Sequence, residues 1–93
     1  MRGGKGKGVG KWVSSPAYRA VVETVIEGRK NAGLTQRALA DALGKPPSFV
    51  AKIEQRERRL DLVEFVAIAR ALGIREADLF RKAVAALPMN IEI

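Results

Sequence analysis

Apolar residues recur at helical spacing along most of this chain, and short polar or glycine-containing breaks divide them into five segments. Tyr18, Val21, Val22, Val25 and Ile26 form the inward stripe of a first helix, capped by Ser15, opened by Pro16 and reaching about residue 32. Gly28 inside that stripe costs about 1 kcal/mol relative to Ala. Gly33 closes the segment, and Thr35 is the N-cap of a second helix over about 35–43, with Leu39, Ala40 and Leu43 as its apolar face. Gly44 ends it, because a residue without Cβ takes a left-handed cap cheaply. Pro46 and Pro47 preset φ where a third helix begins, predicted over about 47–55. Val50 and Ile53 turn inward there, which at about 100° per residue leaves Ser48, Ala51, Lys52 and Gln55 on the opposite face.

Asp61 and Glu64 have the spacing of a capping box, with Leu62, Phe65, Val66, Ile68 and Leu72 apolar behind it and Gly73 as the stop. A last helix over about 76–87 uses Leu79, Phe80, Val84 and Leu87 before Pro88. Arg75 stands where a small N-cap residue is expected. The tail, 88–93, alternates apolar and polar residues in a short extended pattern. No strand signal appears among the helices. The expected fold is therefore all-α: a basic arm over 1–15, one five-helix domain over 16–87, and an extended tail.

Ninety-three residues suit one compact core, with no length to spare for a separate ligand-sensing domain. Cysteine and histidine are both absent, which excludes disulfides, zinc fingers and imidazole catalysis. No carboxylates cluster at catalytic spacing either, so an enzyme is disfavoured and neither a metal nor a cofactor is expected. No apolar run spans a membrane and no signal-peptide core follows the N-terminus, so the expected location is the cytoplasm, on the nucleoid.

The formal charge of +7 favours a polyanionic partner. Its distribution matters more. Arg2, Lys5, Lys7 and Lys11 lie in the Gly-rich stretch 1–11, a flexible arm whose end Trp12 and Val13 anchor. Lys45, Lys52, Arg56, Arg58 and Arg59 crowd the third predicted helix and the loop after it, against Glu54 and Glu57. The aromatics are interleaved nowhere with these basic residues, and Phe49, Phe65 and Phe80 read as core or rim rather than as stacking platforms for bases.

Taken together, Arg29, Gly33-Leu34-Thr35-Gln36, Ala40, Gly44, Val50, Ile53 and Glu54 resemble the helix-turn-helix of the phage-repressor family, the Cro-like (xenobiotic-response-element type) regulators. The resemblance continues through 60–74 and covers roughly residues 18–80. It implies a repressor-like domain whose third helix enters a DNA major groove, in a prokaryotic or phage regulator. Positions at the start of that helix and one turn later touch bases in the family, which carries over onto Pro47, Ser48 and Lys52. Lys52 can donate to guanine O6 or N7, Ser48 can donate or accept, and Ala51 offers a methyl to thymine. Pro47 gives van der Waals contact only, so a larger share of specificity falls to DNA shape.

Phosphate contacts are expected from Thr35, Gln36, Arg37, Lys45, Gln55, Arg56, Arg58 and Arg59. Gln36 has a backbone contact in the family, and its place in the first turn of a helix suits an anion. The arm cations Arg2, Lys5, Lys7 and Lys11 suit a minor groove or phosphates beyond the half-site. The resemblance makes Arg29 and Glu54 a structural ion pair between the first and third helices. Relatives usually carry Gly where Arg56 stands; Arg56 either accepts a left-handed exit at a cost of about 1 kcal/mol or prolongs the helix by a turn.

One such domain reads few base pairs. A repressor then works as a homodimer on a two-fold operator, with half-sites about 34 Å apart. Val84, Leu87, Ile91 and Ile93 are the dimer candidates. Two other readings stay open: an antitoxin with a protein partner and autoregulatory DNA contact, and an adaptor that has lost DNA binding.

Overall fold

The computed structural model describes residues 12–92. A helical turn at 12–14 precedes α1 (Pro16–Asn31), α2 (Gln36–Ala42), α3 (Pro47–Glu54), α4 (Leu62–Ala71) and α5 (Glu76–Ala86). No strand occurs among the described residues. The arm cations at positions 2, 5, 7 and 11, and Ile93, lie outside them.

Local chemistry starts the helices where the sequence indicates. Ser15 Oγ accepts the Tyr18 N–H at 3.3 Å and Pro16 occupies the first helical position of α1. Asp61 and Glu64 form a reciprocal capping box on α4, each accepting the other's backbone N–H at 2.7 and 3.0 Å. Arg75 precedes α5 with no side-chain cap bond.

One core holds the five helices together. Val22 and Val25 come from α1, Leu39 and Ala40 from α2, Val50 and Ile53 from α3, and Phe65, Ile68 and Ala69 from α4. Leu79 and Ala83 add α5. The most extensive packing is of α2 on α3 and of α1 on α5. Burial of these side chains, not the short helices' own propensity, is what stabilises elements of seven and eight residues.

Several apolar positions depart from the expected inward set. Tyr18, Val21, Ile26 and Val66 are only half-buried. Leu62 is 70% exposed, and Phe80 stays 55% exposed although its ring meets that of Phe65 edge-on, with centroids 6.4 Å apart. Leu62 opens α4 as its first residue, one turn beyond the core's edge. In the tail, 89 and 90 form a bend, and 88, 91 and 92 are exposed and belong to no helix or strand.

Gly28 has a reason that periodicity does not show. A Cβ there would meet Leu72 Cδ1 at 3.3 Å and Ile74 Cδ1 at 3.4 Å. The missing side chain lets α1 approach the α4–α5 turn closely.

Candidate nucleic-acid interface

The turn between α2 and α3 is fixed by backbone hydrogen bonding. Gly44, at φ +70°, donates to Asp41 O at 3.0 Å, and Lys45 donates to Ala40 O at 2.9 Å. This is a Schellman closure, and it requires the left-handed conformation that Gly44 supplies. Pro46, extended at ψ 155°, and Pro47, first in the helix, then launch α3 in a new direction.

Val50 and Ile53 are 2% and 1% exposed, so α3 is pinned by one face. The other face is open: Pro47, Ser48, Lys52 and Gln55 are exposed and Ala51 half-buried. The structure thus brings together on one surface the residues proposed to touch bases. Thr35 accepts the Ala38 N–H at 3.0 Å as the cap of α2, and Arg37 next to Gln36 is exposed.

A buried polar knot orients α3. Arg29 donates to Glu54 through Nε at 2.6 Å and NH2 at 3.0 Å, and through NH1 to Leu34 O at 2.7 Å. Gln36 Nε2 donates to Glu54 Oε1 at 2.7 Å. The expected ion pair is therefore present, with a third member. Gln36, expected at a phosphate, has its amide turned onto Glu54, because the buried carboxylate needs a further donor.

The loop after α3 takes one of the two forms expected at Arg56 and departs from expectation at Arg58. Arg56 takes the left-handed exit, at φ +60°, with Glu57 donating to Lys52 O at 2.9 Å in the same closure as at Gly44. Its Nε donates to Val13 O at 2.9 Å, an offset to the strain. Arg58, expected at a phosphate, forms a forked pair with Glu64 at 2.6 and 2.9 Å and donates to Arg59 O at 2.8 Å. The hydrogen bond from Arg58 holds the Glu64 carboxyl below its ordinary pKa, and the same bond raises that of Arg58. Arg58 lies 40% exposed but charge-balanced. Arg37, Lys45, Lys52, Arg56 and Arg59 make no ion pair among the described residues.

Aromatic and basic residues that are apart in sequence meet in space. Lys45 and Arg58 lie over the Phe49 ring at 5.5 and 4.7 Å, and Arg59 over Trp12 at 5.2 Å. No periodic pattern links Trp12 to Arg59 or Phe49 to Arg58, whereas Lys45 and Phe49 stand at i,i+4, a spacing visible in the sequence. The Arg58–Glu64 pair had one signal: a capping-box Glu has a second carboxylate oxygen to satisfy.

On α5 and just after it, Val84 is 47% exposed and Leu87 half-buried. They line an apolar groove with Val21, Leu62, Phe65 and Phe80. Ile91, 56% exposed, follows in the tail. No helix among the described residues is long and apolar enough to cross a membrane.

Comparison with known proteins agrees with this geometry. The helix-turn-helix family model matches residues 25–79. The structure is similar to that of an XRE-family like protein from Pseudomonas syringae pv. tomato, 43% identical, with 77% of this chain and 88% of that one covered and a TM-score of 0.71. It also shares its fold with the clp gene regulator ClgR of Corynebacterium glutamicum, in two solved structures. One is 22% identical, covering 80% of this chain and 96% of that one, with a TM-score of 0.69. The other is 23% identical, covering 75% and 74%, with a TM-score of 0.66. No match was found among curated proteins.

Proposed function

The chain belongs to the helix-turn-helix family of DNA-binding transcriptional regulators, and from that premise we propose that it is a repressor that binds a two-fold operator as a homodimer. The observation that carries the DNA reading is the exposed face of α3. Pro47, Ser48, Ala51 and Lys52 stand there beside cations that no carboxylate neutralises among the described residues. Lys52 and Ser48 read base edges, Ala51 and Pro47 give apolar contact, and Arg37, Lys45, Gln55, Arg56 and Arg59 meet phosphates. Thr35 and Gln36 contribute through the backbone at the start of α2, since their side chains are engaged in the cap and on Glu54. Arg58 adds less, because Glu64 already balances it. The arm cations extend the contact along the duplex.

The dimer rests on the apolar groove that α4 and α5 leave open, with Val84 and Leu87 on its wall. An isologous contact there covers the same groove on both copies about a two-fold axis. Such a regulator acts in the cytoplasm, on the nucleoid.

Selection of bound sites from a random duplex pool tests this reading directly. Enrichment of a two-fold sequence with half-sites one turn apart, about 34 Å, is expected. A pool that enriches nothing above its starting frequencies overturns it. Footprinting on the chain's own promoter then gives the sign of regulation.

A further inference from the structure

The loop after α3 is gripped from outside the helix-turn-helix. Arg56 Nε donates to the Val13 carbonyl at 2.9 Å. The Tyr18 hydroxyl accepts the Leu60 N–H at 3.0 Å and donates to Arg58 O at 3.4 Å. Trp12 meets the Tyr18 ring edge-on, with centroids 5.2 Å apart, and lies beneath the Arg59 guanidinium at 5.2 Å. Residues 12, 13 and 18 thus touch four residues of the loop, while nothing in the helix-turn-helix itself requires a tryptophan at position 12.

Two of the gripped residues, Arg56 and Arg59, carry charges without a carboxylate partner among the described residues. The Arg59 guanidinium carbon lies over the indole at 5.2 Å, and none of its N–H groups is hydrogen-bonded among the described residues. The ring contact therefore leaves those N–H groups for a phosphate. It removes in advance part of the rotamer freedom that a long side chain loses on binding.

We propose that Trp12 is a positioning residue for the DNA backbone: with Val13 and Tyr18 it presets the loop 56–60 and holds Arg59 ready for a phosphate. This role rests on the DNA-binding reading above. It also makes the chain's only tryptophan an internal reporter, because a phosphate drawing on Arg59 changes the field over the indole.

A double-mutant cycle on the full chain tests it, using a random-sequence duplex about three helical turns long. Trp12→Ala is expected to weaken binding about two- to fivefold, the factor an exposed cation–π contact supplies. In an Arg59→Gln background the same change is expected to have no further effect, and duplex addition is expected to shift Trp12 emission in the wild type only. Should Trp12→Ala lose helical content, the cycle is read with Trp12→Leu. Equal losses in both backgrounds, or unchanged affinity in Trp12→Ala, overturn this role and leave the DNA reading standing. A wild-type chain that ignores the duplex overturns both.

Discussion

Arg29 meets Glu54 through two parallel hydrogen bonds, Nε to Oε2 at 2.6 Å and NH2 to Oε1 at 3.0 Å, in a site where both residues are buried. Arg29 rises from α1 and Glu54 ends α3, so the fork sets the angle at which α3 leaves the body of the domain. Gln36 and the Leu34 carbonyl complete the site, which leaves the charges paired and hydrogen-bonded.

Removing one partner strands the other. Glu54→Ala is expected to destabilise by about 3–5 kcal/mol, because an uncompensated guanidinium remains buried. The double change Arg29→Met with Glu54→Leu is expected to cost clearly less than Glu54→Ala alone. Urea denaturation of the wild type, Glu54→Ala and the double variant decides the matter, and a double variant that loses as much stability as Glu54→Ala would refute the coupling.

Base reading and phosphate binding separate by their response to sequence and salt. Lys52→Ala is expected to cost about 1–3 kcal/mol at the selected site and to relax preference at one position. Arg59→Gln is expected to weaken all duplexes alike and to lower the salt slope by about one. Arg58→Gln should move that slope less, since Glu64 already holds the Arg58 charge. Titrations at several salt concentrations rank the three. Equal loss on selected and random DNA for Lys52→Ala would mean that α3 does not read bases as proposed.

Much of this arrangement was legible in the sequence, because local chemistry wrote it. Ser15, Thr35, Gly44, Pro47 and Asp61 each act on the backbone within four residues, and the helix limits follow from them. The outward face of α3 followed from Val50 and Ile53 for the same reason. What was hidden depends on pairs distant along the chain. Gly28 reads as a weak helix position until Leu72 and Ile74 arrive against it. Arg58 and Gln36 read as free until Glu64 and Glu54 claim them, and Leu62 reads as core until the helix packing ends one turn short of it.

The left-handed residue at the exit of α3 inverts the usual substitution order. Arg56 adopts φ +60°, where a Cβ is unfavourable, and recovers part of the cost through its bond to Val13. Arg56→Ala keeps the strain and loses the bond, whereas Arg56→Gly loses the bond and relieves the strain. Glycine is therefore expected to be the more stable of the two by about 1 kcal/mol, opposite to its rank inside a helix. Thermal melts of both variants check this, and a more stable Ala variant would contradict the assigned backbone.

Glu64 links stability to pH. Its pKa lies below the ordinary 4.5, chiefly through the hydrogen bond from Arg58. A carboxyl depressed by folding adds stability above its unfolded pKa and loses it as pH falls through the folded value. Stability should therefore decline from about pH 4.5 downward, and Glu64→Gln should flatten that decline relative to the wild type. The difference at neutral pH is expected to be about 0.5 kcal/mol, since Arg58 is 40% exposed and solvent screens the pair. Denaturation midpoints collected between neutral and acid pH give both curves; parallel curves would remove Glu64 from the linkage.

The proposed dimer turns on Val84. It is 47% exposed on the wall of the groove that Phe80 and Leu62 share, so a single chain loses little when its side chain becomes polar. Across a two-fold axis the same change acts twice, placing two like charges in one apolar contact. Val84→Glu is therefore expected to leave the melting of the monomer nearly unchanged while converting a sedimenting dimer to single chains. Affinity for the two-fold site should then fall toward that of one half-site, because the second α3 no longer arrives with the first. Deleting 88–93 separates the groove from the tail: a dimer that persists assigns the contact to α5 and its groove, and one that dissociates assigns it to Ile91 and Ile93. A wild type that sediments as single chains, at concentrations where the selected site is filled, would refute the dimer in either form.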